Sequence, residues 1–103
     1  MSLKKQYLKS KQICKVTFSL SKEEVFNAQK VQVLGEFNDW DAKNAIEMKK
    51  YKNGTFKVVM DLPVHAEYQF KYLIDGEKWE NDGEADKYVS NGIGAEENSV
   101  LIL

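Results

Sequence analysis

Two tryptophans stand apart from the apolar patterning of this 103-residue chain. Trp40 ends the polar run Phe37-Asn38-Asp39-Trp40-Asp41, and Trp79 lies between Lys78 and Glu80, just ahead of an acidic stretch. A tryptophan beside turn and loop residues offers a rigid, amphipathic face. The flat apolar side of a pyranose ring can stack on it while polar neighbours take the hydroxyls. Lys71 and Asn98 are the candidate neighbours. Lys71 alternates away from Tyr68, Phe70 and Tyr72, and an ammonium brings three N–H donors to neutral hydroxyls. The competing assignments are core packing for the tryptophans and a solubilising role for Lys71. Tryptophans exposed and coplanar on one face, with Lys71 between them, favour a sugar; tryptophans packed inward favour protein contact.

Other chemistries find little material. The acidic set Asp75, Glu77, Glu80, Asp82, Glu84 and Asp86 is read as a solvated loop and not as a carboxylate pair for glycoside hydrolysis. A small sandwich also offers little enclosure to raise one carboxyl for acid catalysis. His65 is the sole histidine and falls in a turn, so no nucleophile–base–orienter set can be assembled. Taken as calcium loops, Asp82-Gly83 puts Lys78 at the first ligand position, and Asp75-Gly76 puts Leu73 at the third; neither supplies an oxygen. One Cys and one His are too few for structural zinc. No enzyme activity, metal or cofactor is expected.

The elements that must carry the tryptophans read as strands. Cys14, Val16, Phe18 and Leu20 alternate with polar residues, which predicts a strand over 12–20; Val31 and Val33 open another that ends at Gly35. Ser21 to Phe26 resembles a capping box, but its apolar period stops within a turn, so a loop is expected. Asn53-Gly54 between 48–51 and 55–62 marks a hairpin. Residues 67–74 alternate again, Asp75-Gly76 turns the chain, 81–97 read as one long loop, and 98–103 close as a strand. Short strands, frequent turns and no long helix specify an all-β, immunoglobulin-like antiparallel sandwich. Residues 1–11 are expected as an N-terminal tail and 12–103 as the single domain.

Composition narrows the partners. A net charge of −1 gives no electrostatic basis for nucleic-acid binding, and no apolar run is long enough for a membrane span. No apolar run of signal-peptide length follows the first lysines, and Cys14 is the only cysteine, so no intrachain disulfide can form. A cytoplasmic location is expected.

Three blocks in order carry a family likeness: residues 31–40 (VQVLGEFNDW), residues 68–79 (YQFKYLIDGEKW), and Gly94 followed by Asn98-Ser99-Val100. Together they resemble carbohydrate-binding module family 48, over roughly residue 13 to the end. That family includes the glycogen-binding domain of the AMP-activated protein kinase beta subunit and the early-set domain of isoamylases and branching enzymes. The resemblance implies a non-catalytic sandwich that binds α-1,4-linked glucan: glycogen, starch or a maltooligosaccharide. Trp40 and Trp79 would stack on glucose rings, Lys71 and Asn98 would hydrogen-bond hydroxyls, and Ile93 would supply an apolar contact. A glycogen-metabolism enzyme is an implied partner. Two departures stand out: Ala95 takes the place of a threonine hydroxyl in a lengthened last loop, and Lys78 lengthens the Asp-Gly-x-Trp block. The alternative function is a protein-interaction sandwich of the same fold without sugar affinity.

Overall fold

Along β2 (Ile13–Leu20), Cys14, Val16, Phe18 and Leu20 are buried while the residues between them are not. The same alternation recurs in β5 (Phe56–Pro63), where Phe56 and Leu62 are buried with Val58 and Met60 packed beside them. The computed structural model describes residues 1–92, 94 and 96–103. The other elements are β1 (Ser2–Tyr7), β3 (Val31–Gly35), a single 3-10 turn (Glu36–Asn38), β4 (Lys49–Lys50), β6 (Glu67–Ile74), β7 (Lys78–Glu80), β8 (Lys87–Ser90) and β9 (Glu97–Ile102).

The strands form two antiparallel sheets, one in the order β1-β2-β5-β4 and the other β3-β6-β9-β8, with β7 paired to β6. Their inner faces share one core. Phe18 from the first sheet meets Phe70 and Tyr72 from the second edge-to-face, with centroids 5.5 and 6.5 Å apart. The expected all-β sandwich is what the chain adopts. Ser21 and Glu24 do make the reciprocal capping-box bonds, but the segment closes as turns and no helix follows.

Two expectations are corrected. Residues 2–7 are no tail: β1 pairs with β2 from Ser2↔Ser19 to Tyr7↔Cys14. Its alternation is hidden because an inward position is held by Lys5, whose Nζ reaches across to Asp86 Oδ2 at 2.8 Å and the Ile102 carbonyl at 2.9 Å. An inward charge on an edge strand also discourages edge-to-edge pairing. Nor is 81–97 one solvated loop, since β8 lies within it and pairs with β9 from Lys87↔Val100 to Ser90↔Glu97.

Asp82, read as part of that solvated loop, is fully buried. The Tyr72 hydroxyl donates to its Oδ2 at 2.6 Å, the Glu84 N–H donates to its Oδ1 at 2.7 Å, and its own N–H donates to Ser99 Oγ at 2.9 Å. Tyr88 adds a hydroxyl bond to its carbonyl. These bonds tie the segment after β7 to the centre of β6.

Burial, then the charge of Asp82 and its hydrogen bond, push the Tyr72 hydroxyl well above its ordinary value of 10.0. Stability linked to the neutral phenol is fully present below pH 10 and is lost as pH climbs from there toward the folded-state value. Tyr72→Phe is expected to cost about 1–3 kcal/mol at neutral pH by removing a donor from a buried carboxylate. Above about pH 10 the stability of this variant should fall less steeply than that of the wild type. Urea melts at neutral and alkaline pH check both statements.

Candidate functional site

Because side chains alternate along β6, the strand that sends Phe70 and Tyr72 into the core sends Gln69, Lys71 and Leu73 to the outer face. Registers Gln69↔Val100 and Leu73↔Trp79 bring Val100, Asn98 two residues before it, and Trp79 to that same face. Leu34 lies opposite Lys71. Leu34, Leu73 and Val100 are buried yet belong to no part of the inter-sheet core, so they make a small apolar floor. Lys71 sits on this face only 9% exposed, in the gap where β9 pairing ends at Phe70 and β7 pairing begins at Tyr72.

Trp79 owes its direction to loop length. Three residues, Asp75 to Glu77, separate the paired Ile74 and Lys78. A loop one residue shorter in the same arm would put Trp79 opposite Tyr72 and turn it inward, since a one-residue slip exchanges the faces of a strand. The three-residue loop absorbs the extra residue and keeps the tryptophan opposite Leu73, on the face of Lys71. Asp75 and Gly76 take left-handed backbone at φ 52° and 70° to close the turn.

Trp40 is placed by a tight turn after β3. Gly35 can only be glycine, because a Cβ there would lie 2.4 Å from the Gln69 carbonyl oxygen and 2.8 Å from Phe70 Cβ. The Asn38 side chain brackets the turn, accepting from the Gly35 N–H at 2.9 Å and donating to the Val33 carbonyl at 3.0 Å. Glu36 Oε1 accepts the Gln69 N–H at 2.6 Å, and Phe37 packs inward against Phe18 and Phe70. Asp39 and Trp40 then both adopt left-handed backbone, φ 55° and 56°, and the Trp40 N–H bonds to the Gly35 carbonyl at 3.0 Å. Such a conformation is strained for a bulky residue, and strain of this kind gathers at functional positions.

The result is an open depression of about 550 Å³ that Trp40, Lys71, Trp79 and Asn98 line together with Glu96 and Asn91. Trp79 is 46% exposed and Trp40 half-buried. Their centroids are 6.4 Å apart and the rings are inclined at 60°, so they are neither coplanar, the arrangement named as favouring a sugar, nor packed into the core. The two segments approach from unrelated turns, and nothing in either register makes the rings parallel. Asn98 Nδ2 donates to Gln69 Oε1 at 3.0 Å. Lys71 Nζ lies 3.4 Å from Glu96 Oε2. Ile93 and Ala95 lie outside the described residues. Glu96 was missed from sequence; the available signal was its place two residues before Asn98, where it shares that residue's face if the strand is extended back.

Among the described residues no group of three or more His, Cys, Asp or Glu side chains gathers as a metal site. His65 is exposed in the turn between β5 and β6. With Glu77 and Lys78 also at its edge, the depression offers stacking faces, two ammonium groups, amides and two carboxylates. Such groups can stack on and hydrogen-bond a polyhydroxylated ring.

The chain is a small antiparallel β-sandwich with two tryptophans and several polar side chains on the outer face of one sheet. Residues 16–102 match the family described as the glycogen recognition site of AMP-activated protein kinase. The chain belongs to that family of carbohydrate-recognition domains, and the match spans nearly its whole length. A comparison with curated proteins gave no match.

Gly35→Ala is expected to destabilise the fold by about 1–3 kcal/mol or more, since backbone and a β-carbon would both have to give way. Thermal melting measures the loss. The Trp40 indole signal in a ¹H–¹⁵N spectrum should move in the same variant, because the turn that carries it is anchored at this glycine.

Proposed function

We propose that this chain is a non-catalytic domain that binds α-1,4-linked glucan (glycogen, starch or maltooligosaccharide) through Trp40 and Trp79, with Lys71 and Asn98 as hydroxyl partners. The observation that carries the reading is the meeting of two inclined indoles, 6.4 Å apart, beside a buried ammonium on one face of the sandwich. A flat polymer would ask for parallel platforms. An α-1,4-linked chain curves, so successive rings present their faces at an angle, and a pair of rings inclined at 60° suits it.

The remaining groups fit the same role. Lys71 is held with little freedom, so its N–H donors are ordered before a sugar arrives, which lowers the cost of binding. The open shape of the depression suits a polymer that enters and leaves sideways, and it gives no enclosure in which a carboxyl could be tuned for hydrolysis. Incubation with maltoheptaose should therefore leave the sugar intact. The buried free thiol of Cys14 accords with a cytoplasmic setting, where a glycogen-metabolism enzyme would be the natural companion.

Glycogen in a native gel should retard the chain. Trp79→Ala should weaken maltoheptaose binding by about 2 kcal/mol or more, roughly thirtyfold, as removal of a central aromatic anchor does. Its melting temperature should hardly change, because the ring is already half exposed. Trp40→Ala should weaken binding as much, with a modest melting loss reflecting its deeper seat. Equal migration with and without glycogen would count against the reading, as would two variants that lose about 3–5 kcal/mol of stability in the manner of core truncations.

A further inference from the structure

Lysine is rarely buried without a partner, and Lys71 has one carboxylate beside it. The side chain of Lys71 is 11% exposed and that of Glu96 65% exposed, so the pair runs from the floor of the depression to its rim. Their separation of 3.4 Å is well beyond the roughly 2.7–2.9 Å of a tight charge-assisted hydrogen bond. An ion pair this open on one side adds little to stability. Its chemistry is better suited to a third party. An ammonium has three N–H donors and a carboxylate about four lone-pair positions, so a contact between one Nζ and one Oε2 leaves most of that capacity unused.

We propose that Glu96 and Lys71 act together as an acceptor and donor pair for two adjacent hydroxyls of one glucose ring. Neighbouring hydroxyls on a pyranose lie side by side, so the ammonium and the carboxylate, 3.4 Å apart, can each reach one of them. Each hydroxyl both donates and accepts. One hydroxyl accepts from Nζ while its neighbour donates to the Glu96 carboxylate, and the ring face rests on an indole. Stacking alone is tolerant of ring substituents. The charged pair makes the site selective for sugars that present an intact pair of neighbouring hydroxyls, because a buried donor left unpaired is costly. The inference rests on the glucan-binding reading and adds Glu96 as a specificity-determining residue.

The test is a fluorescence titration of the full chain with maltoheptaose, comparing wild type, Glu96→Ala and Glu96→Gln. Loss of a charged acceptor should weaken binding roughly tenfold in Glu96→Ala, with less loss in Glu96→Gln, which keeps one acceptor oxygen. Melting temperatures should fall only slightly, because the glutamate is largely exposed and the open depression lets water reach the Lys71 ammonium. Affinity that stays the same or tightens in Glu96→Ala would overturn the proposal, since the carboxylate would then be a bystander or an obstruction to Lys71. Wild-type protein that binds no maltoheptaose would remove the glucan reading itself, and this inference with it.

Discussion

The alternation of side chains along β6 is the constraint on which both the core and the outer face depend. Phe70 and Tyr72 project inward to meet Phe18, while Lys71 and Leu73 project outward between them. Neither set can move without the other. A shift by one residue would put the ammonium of Lys71 into the sandwich and the phenyl ring of Phe70 into solvent, costs that add up to more than the usual stability of a small domain. The outward side chains of β6 are therefore fixed by the same register that packs the core.

Each neighbour of β6 fixes one part of the site. Pairing with β3 brings Gly35 so close to Gln69 and Phe70 that the following turn, and Trp40 with it, starts from a fixed point. Pairing with β7 over a three-residue loop aims Trp79 outward. Pairing with β9 brings Asn98 to the same face. Behind these, the Tyr72–Asp82 bond and the Lys5–Asp86 pair hold the acidic segment to both sheets. Asp82 and Asp86, two of the carboxylates weighed for hydrolysis, thus serve the structure.

The sandwich was legible wherever one face of a strand is apolar, as in β2, β5 and β6. It was hidden where an inward position is polar. Lys5 conceals β1, and β8 is too short and too charged at its start to announce a period. Asp82 shows the same limit, because burial of a carboxylate depends on donors from Tyr72 and Glu84 and on partners across the fold that no local pattern reveals. At the site, the positions of Trp40, Lys71, Trp79 and Asn98 could be picked out by their departure from alternation and by family likeness. The inclination of the rings and the place of Glu96 beside Lys71 could not. Both depend on how two separate turns and the end of a loop meet in space.

The central claim is that Trp40 and Trp79 receive a glucan together, on one face. Following the two indole N–H signals in ¹H–¹⁵N spectra during a maltoheptaose titration tests it most directly, since each tryptophan has a single such proton. Both signals should shift along one saturating curve, with backbone shifts confined to β6, β7, β9 and the turn after β3. Indole signals that stay still while the protein binds, or shifts that gather on the β1-β2-β5-β4 sheet, would contradict it.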